Sequence, residues 1–190
     1  GIDDWAYYTF TSGAQDITKG FEDSTASNPT TNVPSGWTRN SASSTSWAYG
    51  QISGNFGPAD EPSFPYIMAT NLGGTYGANA NDILTGPTYS LPANSSASLV
   101  LDHWACTEAP YDGAYIEIKI NNGNWNHFDP GGFYTHISTW GPFSGTNTPV
   151  FGQVKCTGQG SLYTITDTTF DHAVADLSQY AGNDVKFRYR

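Results

Sequence analysis

Positive charge is scarce in this sequence: 7 Lys and Arg stand against 17 Asp and Glu, giving a net charge of −10. A nucleic-acid binder needs a basic footprint, and docking on anionic membranes needs basic clusters, so both classes are disfavoured. The balance suits a soluble extracellular surface, or one that gathers divalent cations. No uninterrupted apolar run of about 18 residues occurs, so no segment reads as a membrane-spanning helix. Cysteine is nearly absent, with only Cys106 and Cys156 and no CxxC spacing. Two cysteines cannot build a structural zinc site alone. They read as one disulfide formed in an oxidising compartment, or as two buried thiols. Long runs of Ala, Leu, Glu and Lys, the strong helix formers, are missing. Also missing are an HExxH, a GxSxG, a phosphate-binding loop and any repeat with a period of about 20–50 residues. The first residue is Gly1 rather than Met, which reads as a mature or trimmed start with any export signal already removed.

What is present is aromatic and turn-rich. Trp, Tyr and Phe make up 15% of the chain, with 21 Gly and 11 Pro. Disordered chains lack aromatics, and this mixture suits strands joined by turns. The length suits one domain with a sizeable core. The stretch 96–107 reads as a strand with Leu99 and Leu101 on one face. In 114–125, Tyr115, Glu117 and Lys119 alternate with Ile116, Ile118 and Ile120 before an Asn-Gly turn, the pattern of a half-buried strand. Residues 184–190 alternate Val185, Phe187 and Tyr189 with Lys186, Arg188 and Arg190. Weaker strand candidates are 64–71 and 161–170. The one helical candidate is 174–182, a single turn capped by Gly182. The expected fold class is all-β, a jelly-roll β-sandwich with long end loops.

Several stretches resemble the MAM-like jelly rolls of the choice-of-anchor J type. These are "GFED…VPSGWT", "MATNLGG…NANDILTGPTYSLP", "ASLVLDHWACTEAPYDGAYIEIKINNGNW" and "VADLSQYAGNDVKFRYR". The resemblance covers roughly residues 20–190 and implies a jelly-roll accessory module of secreted or cell-surface proteins. It is informative about fold and poor in information about function. One departure stands out. In the family, the strand matching "FRYR" is followed by a Gly-aromatic-x-Ile-Asp-Asp run. Here a similar signature, "GIDDW", stands at the front. The resemblance therefore implies a closing strand displaced to residues 1–10.

This divides the chain into residues 1–19, a donor strand and linker, and residues 20–190, a jelly roll with an open edge that the N-terminal strand completes. The strand carries Ile2, Trp5, Tyr7, Tyr8 and Phe10, with Tyr8 and Phe10 on one face and Trp5 and Tyr7 on the other. It can return to its own sandwich or enter a neighbour's by donor-strand complementation. A head-to-tail exchange of that kind propagates into a filament unless it closes into a ring. The expectation is therefore a non-catalytic structural subunit of an extracellular homopolymer. The alternative is a monomeric glycan-binding or adhesive module.

Calcium prefers several oxygen ligands. By resemblance a cation sits where Asp3, Asp4 and Glu22 meet, and Glu108 with Asp112 forms a second candidate; a turn-capping carboxylate is the alternative at each. Trp125, Phe133, Tyr134 and Trp140 lie in or near long loops as possible glycan contacts, or as covers for the loops' own cores. Asn94-Ser95-Ser96 is the single glycosylation sequon and implies a surface turn. His103 in a strand reads as a structural histidine, while His127, His136 and Asp129 form a weak zinc candidate. Asp60 and Glu61 read as solvated charge.

Overall fold

Strands account for nearly all regular structure in the computed structural model. It describes residues 2–11, 36–40, 47–51, 57–58, 67–77, 80–107, 112–129, 134, 136–138, 148–150, 156–157 and 164–190. For 2–11, 136–138, 148–150 and 157 it describes the backbone alone. The strands are β1 (Ile2–Thr11), β2 (Thr38–Asn40), β3 (Ala48–Gly50), β4 (Ile67–Ala69), β5 (Ile83–Ser90), β6 (Ser96–Ala105) and β7 (Ile116–Ile120). They continue with β8 (Trp125–Phe128), β9 (His136–Ser138), β10 (Thr148–Val150), β11 (Cys156–Thr157), β12 (Thr164–Ile165), β13 (Asp171–Asp176) and β14 (Asp184–Tyr189).

Two five-stranded sheets carry the fold, ordered β13-β6-β1-β4-β3 and β2-β5-β14-β7-β8. β9 and β10 pair with each other, as do β11 and β12. Pairing is antiparallel throughout both large sheets. One apolar cluster draws on both. Tyr49, Ile67, Leu99, Leu101 and Ala175 come from the first sheet, and Leu84, Ile116, Ile118, Phe187 and Tyr189 from the second. Two antiparallel sheets sharing one core are the arrangement of a β-sandwich.

The alternation in the sequence explains the faces. Val185, Phe187 and Tyr189 of β14 are buried, while Lys186 and Arg188 between them lie on the outer face. Phe187 meets Phe128 edge-on at 5.4 Å between ring centroids, and Trp37 stacks on Tyr189 at 6.3 Å. β14 is also tied at its ends. Tyr115 and Arg190 exchange both main-chain hydrogen bonds, and the Asn121 N–H donates to the Asp184 carbonyl.

Two sequence expectations need adjustment. The helical stretch 174–182 shrinks to a 3-10 turn, Ser178–Tyr180, because Val174, Ala175 and Asp176 pair as strand with Val100, Leu99 and Ser98. Gly182 does end that turn, with φ +82° and its N–H bonded to the Leu91 carbonyl at 2.9 Å. The candidate strand 161–170 is, within its described residues, only Thr164–Ile165. β5, which the sequence pattern did not single out, is a full strand in the second sheet. Its Gly86 lies under Trp37, where an added Cβ would stand 3.2 Å from the indole.

Candidate functional site

Three places collect the side chains singled out from sequence. The first is the interior of the first sheet. β1 runs the length of β6, from Ile2 opposite Ala105 to Thr11 opposite Ser96. On its other side Asp3 and Asp4 pair with Ala69 and Met68 of β4. Tyr8 and Phe10 take register positions opposite the buried Leu99 and Ala97. Trp5 and Tyr7 stand opposite Asp102 and Val100, which are half-buried. Asp3 stands opposite Trp104 and Asp4 opposite His103. Consecutive strand positions belong to opposite faces, so a single cation would take only one of these two aspartates. Glu22 lies outside the described residues.

The second place is the corner after β6. Cys106 and Cys156 form a disulfide with Cα atoms 5.5 Å apart. This takes Cys106 out of consideration as a nucleophile. The bridge packs with Trp104, whose indole N–H donates to the Asp167 carbonyl at 2.9 Å. Nearby, Asp112 accepts a hydrogen bond from the Tyr76 hydroxyl at 2.8 Å. Its proposed companion Glu108 falls outside the described residues. Among the described residues no group of three or more His, Cys, Asp or Glu gathers as metal ligands.

The third place is the outer face of the second sheet. Trp125 opens β8 and is half-buried, with the Arg188 guanidinium 4.5 Å from its ring centroid. That guanidinium also donates to the Glu117 carboxylate at 2.5 Å. Glu117 is only 8% exposed, and a buried carboxylate of this kind needs such a partner. His127 stacks on Tyr115 at 5.7 Å and leans on Tyr134 at 5.1 Å. Burial raises the Tyr115 phenol above its ordinary pKa, and the neighbouring Glu117 charge adds to this against the opposing pull of Arg190 and Arg188. Tyr134 serves the fold. Its hydroxyl accepts from the Ile116 N–H at 3.0 Å and donates to the Phe128 carbonyl at 2.5 Å. Phe133, Trp140, Asp60 and Glu61 lie outside the described residues, and His136 is described in backbone only.

The sequon Asn94 is exposed in the turn joining β5 to β6, at φ +59°. Sequence reading also missed a histidine–carboxylate contact. His172 Nδ1 lies 2.7 Å from Asp102 Oδ1, across the β13–β6 pairing. Among the described residues no hydroxyl or thiol bonds to this histidine. His103 is buried, its Nε2 3.9 Å from Asp171 Oδ2.

No protein-family model, curated protein or solved structure matches this chain.

Proposed function

We propose that this chain is a non-catalytic structural subunit of an extracellular filament, a jelly roll in which residues 2–11 of one copy fill the slot between β4 and β6 of the next. The observation that carries the reading is the place of β1. It is an interior strand with a ten-residue register along β6, and the linker read from the sequence follows it as far as residue 19. The register is set by β6 and β4, and the same main-chain bonds are available from a second copy. A linker over residues 12–19 would reach roughly 27 Å if extended, far enough for the strand to enter a neighbouring copy. The disulfide fits an oxidising, extracellular setting. A calcium ion at Asp3 or Asp4 with Glu22 would brace the donated strand against its acceptor.

The test is light scattering and negative-stain microscopy of the whole chain beside a variant lacking residues 1–11. Fibres from the whole chain that vanish in the variant support strand donation, and loss of fibres on chelation supports the calcium brace. A whole chain that stays at its monomer mass of 20.5 kDa means the strand stays at home, and the filament reading falls.

A further inference from the structure

The cations of this acidic chain are not spread evenly. Four of its 7 basic residues, Lys119, Lys186, Arg188 and Arg190, fall on β7 or on β14 and its last neighbour. The pairing registers put them on one face, because residues directly opposite in an antiparallel sheet share a face. One transverse row runs Trp125, Lys119, Lys186, Thr88 across four strands. The next runs His127, Glu117, Arg188, Thr85. Each row spans three strand spacings, roughly 14 Å.

The two rows differ in how their charge is answered. In the second, Glu117 holds Arg188. In the first, Lys119 and Lys186 face each other directly, and among the described residues no carboxylate reaches either ammonium. The acids flanking the rows are otherwise engaged or distant in register. Asp184 accepts from the Ser90 hydroxyl, and Asp129 follows the far end of β8. Like charges directly opposite in a sheet are destabilising. An anion between them removes that cost.

We propose that this face binds an acidic polysaccharide, with a carboxylate or sulfate between Lys119 and Lys186 and a sugar ring against Trp125. The charge identifies an anion, and the rest of the surface narrows its class. The large hydrophobic that stands exposed among the described residues is Val174, 56% exposed on the other sheet, so a protein partner would find no apolar centre to bury here. A densely charged nucleic acid would be repelled by a chain of net charge −10. A sparsely charged polymer meets neither obstacle, and a flat row ending in an indole suits an extended chain of rings. The proposal does not rest on strand donation.

The test is affinity electrophoresis and titration calorimetry with hyaluronate, which carries one carboxylate per disaccharide, and κ-carrageenan, which carries one sulfate per disaccharide, and with neutral dextran as control. Retention by either charged polymer, weakened by added salt and absent with dextran, is the expected result; which polymer is retained distinguishes carboxylate from sulfate. Lys119→Gln with Lys186→Gln should weaken binding at least about tenfold. Lys119→Arg with Lys186→Arg should restore it, and Trp125→Ala, which also loses its stack with Arg188, should weaken it in a sample that circular dichroism shows to be folded. The glutamine pair removes a repulsion, so its fold is not at risk. Failure to bind either charged polymer overturns the proposal, as does binding that survives the glutamine pair. A salt-sensitive dimer abolished by that pair would assign the face to an acidic surface of a second copy instead.

Discussion

The two sheets each place one end of the sequence in their middle, and they hold it in different ways. β14 sits between β5 and β7, its inward side chains packed into the shared core and its ends tied by main-chain bonds from Leu91, Asn121 and Tyr115. A short turn at Ser178–Tyr180 binds it to β13. β1 pairs with β6 along all ten of its residues and with β4 at Asp3 and Asp4, whereas β14 pairs with β5 and β7 over most of its length on both sides. The difference separates a strand bonded along both edges from one bonded chiefly along one, and the second is the strand that the proposed donation would exchange.

Five measurements sharpen or break this contrast. The largest effect is expected from Phe187→Ala, which empties the centre of the locked sheet beside Phe128. It should cost about 3–5 kcal/mol in chemical denaturation, and a loss below ~1 kcal/mol would show that β14 is not a keystone. Replacing both Cys106 and Cys156 by Ala should cost about 4 kcal/mol on the chain-entropy account for a separation of 50 residues. Amide exchange should show that loss greatest beyond β6, with β7 and β14 still protected.

Arg188→Gln leaves Glu117 buried without its ion-pair partner and should cost about 2–4 kcal/mol. Adding Glu117→Gln should recover part of that cost, which a double-mutant cycle would measure. The smallest effects are set by pH. The raised Tyr115 phenol contributes stability that is fully present below the ordinary tyrosine pKa of about 10 and is lost as pH climbs towards its folded value. Tyr115→Phe should flatten that alkaline decline in a pH series of melting curves. Asp176 runs the other way. Its carboxyl is held below the ordinary range by the Ser178 hydroxyl and then the Ser178 N–H. Its contribution is present above the ordinary aspartate pKa and fades as acid protonates it. Asp176→Asn should weaken only this acid-side slope.

Much of the second sheet was legible because its strands alternate cleanly. Ile116, Ile118, Val185 and Phe187 announce a buried face without help from the rest of the fold. β5 was obscured by Gly86 and Pro87, which normally punctuate strands. Both sit where the pairing with β14 slips, so that two residues oppose Phe187 alone. A bulge tolerates proline there, and the Trp37 ring needs a residue without a side chain. β13 was hidden for a simpler reason. Val174–Asp176 looked like the first half of a helical turn, and only the pairing with β6 makes them strand.

The candidate polysaccharide face divides along the same line. Trp125 could be suspected from sequence as an aromatic near a turn. The opposition of Lys119 and Lys186 could not, since they are far apart in the chain and meet only through register. Val174, the exposed apolar side chain, gave no signal either, because its neighbours in sequence are small or acidic.

The middle strands come from opposite ends of the sequence, and this orders the protein's birth as well as its architecture. As synthesis proceeds, β1, β3, β4 and β6 are all available once residue 105 has emerged, so most of the first sheet can assemble early. The second sheet has an empty centre until residues 184–189 appear, with β5 and β7 apart and their inward faces uncovered. Pairings this distant in sequence make folding slow. Until β14 is made, the apolar faces of β5 and β7 stay uncovered, and that interval is when a holding chaperone would matter most.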